Sequence, residues 1–182
     1  MRKKNNDELH RPSAEEYASM GRIPVTVVAD NIRSAQNVGA FFRTCDAFAV
    51  EHLALCGITA VPPSREIHKT ALGAETTVAW SRHESTAECL VGLKERGYRL
   101  LAVEQVEGAV TLDEFEVDPA ARYALVFGNE VDGVSQQAVD MCHGAIEIPQ
   151  AGTKHSLNVS VAGGVALWPF FAALRRRCDR MR

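Results

Sequence analysis

Short apolar runs alternate with segments of helical period from Pro24 almost to the C-terminus, and this alternation restricts the fold more than any other feature of the chain. Pro24–Ala29 (PVTVVA), Glu51–Cys56, Thr77–Ser81, Tyr98–Glu104, Arg122–Phe127 and Ala145–Ile148 read as strands. Between them, Ser34–Phe48, Arg65–Leu72, Glu84–Arg96 and Ser135–Cys142 read as helices, and a long helix is expected from Ser156 onward. Strands that are apolar throughout are buried on both faces. The pattern therefore predicts an α/β fold: a mostly parallel sheet with helices on both faces. Ligands of such sheets sit at the carboxyl ends of the strands, which directs attention to the loops after Ala29, Glu104, Phe127 and Ile148. With 182 residues there is material for one core. A polar N-terminal extension, residues 1–22 with a short helix near Ala14–Met20, precedes a single domain spanning residues 23–182.

Several functional classes are disfavoured. No apolar stretch approaches the ~18 residues of a membrane span, and Met1–Arg11 carries no apolar core of a signal peptide. The five cysteines are scattered and form no C-x-x-C, which suits a reducing, cytoplasmic setting. The six histidines show no i, i+4 pair, so no metal is expected. The chain has no G-x-G-x-x-G, no phosphate-binding G-x-x-x-x-G-K-[ST] and no G-x-S-x-G elbow.

Three loops hold the remaining signal. In Asp30–Asp46 (DNIRSAQNVGAFFRTCD), Val38, Phe41, Phe42, Cys45 and Phe48 make one helical stripe, and Arg43 points away from it. Asn37 and Gly39 lie near the helix start, where Asn caps and Gly admits a close neighbour. In Leu125–Ser135 (LVFGNEVDGVS), Gly128 and Gly133 bracket Asn129, Glu130 and Asp132 after a buried strand. A plain strand-to-helix turn capped by Ser135 accounts equally well for this loop taken alone. In Ile148–Val161 (IPQAGTKHSLNVSV), a glycine-containing loop runs into Ser156 and Asn158 at the opening of the last helix. Ser156 there is a candidate cap, and Asn158 is a poor helix former without a partner.

Taken together, these segments resemble the SpoU family of RNA ribose 2'-O-methyltransferases, within the SPOUT superfamily. The N-x-G-x-x-x-R motif is matched by Asn37, Gly39 and Arg43. F-G-x-E-x-x-G is matched by Phe127, Gly128, Glu130 and Gly133. I-P-x-x-G followed by S-L-N-V-S-V-A is matched by Ile148, Pro149, Gly152 and Ser156–Ala162. Gln150 departs from the Met of many relatives, and Trp168-Pro169 sits inside the last helix, where proline kinks or ends a helix.

The resemblance implies a C-terminal trefoil knot, one of the rare exceptions to unknotted topology. It implies a homodimer and a bound S-adenosyl-L-methionine held near Val103, Glu104, Gly128, Ile148 and Leu157. It also implies methylation of a ribose 2'-hydroxyl in tRNA or rRNA. In that reading Arg43 holds the adjacent phosphate and stabilises the developing alkoxide, because a guanidinium stays protonated, and the hydroxyl proton leaves to phosphate, to water or to a perturbed arginine. Asn37 orients Arg43 or the ribose, Glu130 anchors Arg43 or its neighbours, and Ser156 and Asn158 bond the ribose, Arg43 or the cofactor loop. Two other readings account for part of the pattern: a knotted RNA-binding module without turnover, and a generic α/β small-molecule domain.

Charge adds one expectation. Residues 2–11 carry a net +2 and residues 175–182 a net +4, which leaves −9 on the body between them. Basic ends on an acidic body suit contact with RNA phosphates, although the last arginines also complement a helix C-terminus. Trp168, Phe170 and Phe171 are expected to lie partly at a two-fold interface.

Overall fold

The computed structural model describes residues 1–5, 8 and 12–179, with the side chains of 14 and 176–179 excepted. Arg11, Arg180 and Arg182, which contribute to the two basic ends, lie outside the described residues. Seven strands form one sheet in the order β3-β2-β1-β6-β4-β7-β5: β1 Ile23–Asp30, β2 Val50–Cys56, β3 Trp80–His83, β4 Tyr98–Val103, β5 Val110–Thr111, β6 Arg122–Phe127 and β7 Gly144–Glu147. Every pairing between them is parallel.

The helices are α1 Ala14–Ser19, α2 Ala35–Ala47, α3 Arg65–Ala71, α4 Thr86–Glu95, α5 Gln136–Met141 and α6 Val159–Asp179. Alternate side chains of β1 and β6 feed two separate cores, as period-2 geometry requires. Val25, Val27, Leu125 and Phe127 join Phe41 and Phe42 of α2, and Leu167 and Phe170 of α6, on one face. Val28, Ala124 and Val126 join Leu90 and Leu93 of α4 and Ala138 of α5 on the other.

Close approaches on the first face rest on glycine. A Cβ on Gly39 would lie within 3.0 Å of the Thr70 hydroxyl and the Ile67 carbonyl of α3, and one on Gly163 would drive into the Phe41 ring. The loop after β1 is fixed by Asn31, at φ 56°. Its Nδ2 donates to Asp30 at 2.8 Å, and its Oδ1 accepts from Ile58 N at 3.2 Å.

Two expectations need correction, one strand was missed, and one open alternative is narrowed. The third strand is Trp80–His83 rather than Thr77–Ser81, because a 3-10 turn at Ala74–Thr76, entered through Gly73 at φ 96°, uses the intervening residues. The edge pair Val110–Thr111 went unseen, since two residues give no periodicity. The last helix starts at Val159, not Ser156: Asn158 Oδ1 accepts from Ser160 N at 2.9 Å and so caps it. Pro169 does not end that helix, which runs on to Asp179.

The N-terminal extension is tethered to the domain. Ser13 and Glu16 form a capping box for α1, Tyr17 is buried, and its hydroxyl donates to Asp46 O at 3.1 Å.

Candidate active site

At the carboxyl ends of β4, β6 and β7 lies a cleft of about 490 Å³. Val103, Glu104, Phe127, Gly128, Ile148, Leu157, Ala162 and the Asn129–Gly133 loop line it, with Gln105, Gln150 and Ser156–Val159. All five residues expected to hold the cofactor stand on this wall: Val103, Glu104, Gly128, Ile148 and Leu157.

The loop after β6 owes its shape to backbone bonding. Asn129 N donates to Gly133 O at 3.1 Å and Gly133 N to Asn129 O at 3.2 Å, which closes a tight turn. Asn129 Oδ1 accepts from the N–H groups of Val131 and Asp132, each at 2.8 Å. Gly133, at φ 68°, also leaves room for the Glu104 carboxylate. That carboxylate accepts from Val134 N at 2.9 Å and Gln105 N at 2.8 Å. Beneath the loop, Asp30 is 1% exposed and accepts from Ser135 N at 2.9 Å and from the Thr86 hydroxyl. Ser135 thus contributes its N–H rather than a side-chain cap.

Asn37 joins the three loops. Its Nδ2 donates to Glu130 Oε1 at 2.7 Å, and its Oδ1 accepts from Asn158 Nδ2 at 3.2 Å. Ser160 Oγ reaches the same Asn37 oxygen at 3.4 Å. Asn37 does not cap α2; Ser34 does, accepting from Asn37 N. Glu130 also accepts from the backbone N–H groups of Arg33 and Ser34, both at 3.1 Å. Desolvation pushes its pKa up, but the Asn37 amide and these backbone donors outweigh that and hold it below the ordinary carboxylate value. The carboxylate is therefore kept ionised by the first turn of α2, where the helix dipole also favours negative charge.

Arg43 stands elsewhere. It is exposed, forms no ion pair among the described residues, and lines a second recess with Ala40, Thr44, Ala47, Phe48, Lys69, Thr70 and Gly164. Ala162 lines the first cleft and Gly164 the second. Two residues on α6 are ~200° apart in azimuth, so the first turns of that helix separate Arg43 from the cleft of its own chain. Glu130 does not anchor Arg43 here, because its oxygens face Asn37, Arg33 and Ser34. Ser156 is exposed on the cleft rim and makes no hydrogen bond within the described residues.

Sequence reasoning missed Asp30 and Ser160. Asp30 sat inside the first quoted loop, and a carboxylate closing a buried strand was the available signal. Ser160 stood inside the matched Ser156–Ala162 segment, and that motif was the available signal. Among the described residues no group of three His, Cys, Asp or Glu side chains is placed to hold a metal, and no helix is long and apolar enough to cross a membrane.

Comparisons with known proteins agree with this geometry. A tRNA (guanosine(18)-2'-O)-methyltransferase of Thermus thermophilus is 36% identical over 170 residues, covering 93% of this chain and 84% of the relative. A 23S rRNA (guanosine-2'-O-)-methyltransferase, RlmB, of Vibrio vulnificus is 30% identical over 170 residues, 93% of this chain and 66% of its own length. The crystal structure of the Aquifex aeolicus TrmH/SpoU tRNA modifying enzyme superposes with a TM-score of 0.79 at 29% identity, covering 92% of this chain and 83% of that one. An AdoMet-bound rRNA methyltransferase from Sinorhizobium meliloti gives 0.75 at 25% identity, over 90% of this chain and 59% of that one. The sequence profile of the SpoU rRNA Methylase family matches residues 24–168, and the chain belongs to that family.

Proposed function

We propose that the protein is an S-adenosyl-L-methionine-dependent methyltransferase acting on a ribose 2'-hydroxyl of tRNA or rRNA. The observation that carries this reading is the junction of all three family motifs at one cleft, through the Glu130–Asn37–Asn158 hydrogen bonds. The cleft fits the cofactor. Val103, Ile148, Leu157 and Ala162 offer apolar walls, Gly128 and Gly133 bring backbone to the surface, and Glu104, Glu130 and Asp132 supply negative charge opposite a sulfonium. When bound, the cofactor supplies an electrophilic methyl group.

The chain's own residues prepare the acceptor. Arg43 holds the phosphate beside the target ribose and stabilises the negative charge that develops on its oxygen, while the hydroxyl proton passes to that phosphate or to water. Asn37 and Glu130 act as positioning residues, fixing the start of α2 against the cofactor loop. Asn158 ties the last loop to the same point, and exposed Ser156 stands at the rim where the ribose enters.

The working form is a homodimer. Phe170 is buried and belongs to the core, whereas Val161 (53% exposed), Val165 (41%) and Trp168 (55%), the last resting on the Phe48 and Phe171 rings, form one exposed stripe on α6 at i, i+4 and i+7. Two copies packed on this stripe bring Arg43 of the partner subunit toward the cleft that its own α6 walls off. We place the trefoil knot where the chain passes from β7 through the 148–158 loop into α6, and we read the protein as cytoplasmic and metal-free.

Mapping of 2'-O-methyl sites by mass spectrometry, in tRNA and rRNA from cells with and without the gene, tests the function. One ribose methyl missing from the deletion strain, and restored by the purified protein with cofactor, is the expected result. An unchanged methylation map would overturn the reading.

A further inference from the structure

We infer that the recess between α2, α3 and α6 is a phosphate cradle for the RNA strand flanking the target nucleotide, with Lys69 as its second cation. The inference rests on the proposed RNA substrate and extends it to a residue outside the three family motifs.

Arg43 and Lys69 are 26 positions apart in sequence, yet they line the same recess of about 550 Å³. They meet because Gly39 lets α3 settle onto α2, where the Thr70 hydroxyl donates to Gln36 O at 2.9 Å. The floor is small and apolar, built from Ala40, Ala47 and Gly164, with the Phe48 ring at one side. Small residues under two cations leave width for a sugar-phosphate chain, and no acidic side chain lines the recess. Arg43 has no ion pair among the described residues. Lys69 has only Glu66, one turn away at 3.3 Å, with both side chains about half exposed, at 56% and 48%. Such an exposed i, i+3 pair is worth little, so a phosphate readily displaces Glu66.

The setting makes the contrast meaningful. The chain outside its ends carries −9, and the cofactor cleft is edged by Glu104, Glu130 and Asp132. A polyanion approaching that surface is repelled except where positive charge collects. The recess also lies beside the exposed α6 stripe, since Gly164 and Trp168 share one row of that helix. In a dimer packed on the stripe, RNA held at Arg43 and Lys69 follows the seam into the partner's cleft.

The test is RNA binding at several salt concentrations, with an unmodified tRNA transcript as probe. A transcript of any sequence serves, because phosphate contacts do not read sequence. Lys69→Ala should weaken binding about 3- to 10-fold at 50 mM salt and make the log–log salt slope shallower by about 1. Glu66→Gln, which frees Lys69, should tighten binding. Lys94→Ala, on α4 across the sheet, serves as control and should match wild type. Cofactor affinity by calorimetry should be the same in all four proteins.

Wild-type affinity and slope in Lys69→Ala would overturn the cradle while leaving the RNA reading intact. An equal loss in Lys94→Ala would also overturn it, since general charge would then explain the effect. Failure of the wild-type protein to bind any RNA, with cofactor binding preserved, would instead sink the RNA reading itself.

Discussion

Adding a single methyl group at Gly128 gives the sharpest test of how the cofactor cleft is built. The place beside the cofactor that the family resemblance implies for Gly128 suggests that a side chain here meets the ligand and spares the fold. The structure predicts otherwise. Gly128 is buried, and a Cβ on it would fall within 3.0 Å of the Gly133 carbonyl and the Val134 nitrogen. Both neighbours are backbone, so no rotamer change relieves the clash. The turn must open, which breaks the paired Asn129–Gly133 bonds and strains those from Val134 N to Glu104 and from Ser135 N to Asp30. Two lost bonds at ~1 kcal/mol each, plus up to ~2 kcal/mol of overpacking strain that the opened turn does not relieve, give about 2–4 kcal/mol for Gly128→Ala. A chain of this size loses ~2–4 °C of Tm per kcal/mol, so melting should fall by roughly 5–15 °C without cofactor. Because the displaced residues line the cleft, S-adenosyl-L-methionine affinity should drop at least ~10-fold, equivalent to ~1.4 kcal/mol. Thermal melting of the free protein and calorimetric titration of the cofactor measure the two effects separately. A Tm within ~1 °C of wild type, with affinity lost, would show that Gly128 makes room for the ligand and refute the loop-closure argument.

Arg43→Lys keeps a positive charge but loses the planar fork; turnover should fall ~100-fold or more while cofactor affinity stays put, and near-normal turnover would remove Arg43 from the chemistry. Trp168→Glu places a charge in the exposed α6 stripe, and light scattering should then give a monomer mass where wild type gives a dimer; a wild-type monomer at every concentration would dismiss the dimer. Glu130→Gln should destabilise the protein by ~1 kcal/mol, and in combination with Arg43→Ala the two stability costs should add within ~0.5 kcal/mol; strong coupling would restore the Glu130–Arg43 contact expected from sequence. With the Glu130 pKa lowered by folding, its contribution is present above the ordinary carboxylate pKa and disappears as pH falls through the depressed value. Acid melting curves of wild type and Glu130→Gln should therefore stay apart at pH 7 and converge only as pH falls through that depressed value.

Strands β1, β2, β4 and β6 were legible because each is apolar on both faces and long enough to show it. Strand β3 slipped by three residues because Thr77 and Val78, good strand formers, follow a 3-10 turn that their own sequence does not announce. Residues of all three motifs stood together in the text of the sequence, yet the partner of each side chain did not. Glu130 was expected to anchor Arg43 or its neighbours; the structure pairs it with amide donors at the start of the helix that carries Arg43, which have no sequence signature. Asn158 looked anomalous inside a helix and proved to be its cap, so the anomaly was real and its cause was a boundary set three residues too early. The aromatic cluster at Trp168 was divided by helical phase, which sends Phe170 inward and Trp168 outward, a distinction that composition cannot make.

The missing nucleotide-binding fingerprints and the unusual handling of carboxylates in this cleft have one explanation. Asp30, Glu104 and Glu130 each accept at least one backbone N–H, from Ser135, from Val134 and Gln105, and from Arg33 and Ser34 respectively. A glycine-rich dinucleotide loop directs its free N–H groups at a pyrophosphate. Here internal carboxylates already take up the corresponding donors, so the cleft is poorly suited to bind an anion. What it offers a ligand is apolar wall, carbonyl oxygen and residual negative charge, the environment a sulfonium prefers. In the proposed cradle, anion binding is displaced to the far side of α6, where Arg43 and Lys69 stand without strong partners. A methyl transfer from a cation to a polyanion needs both environments, one against the other but not mixed within one cavity. The all-parallel sheet supplies the first at its carboxyl edge, and the packing of α3 on Gly39 supplies the second.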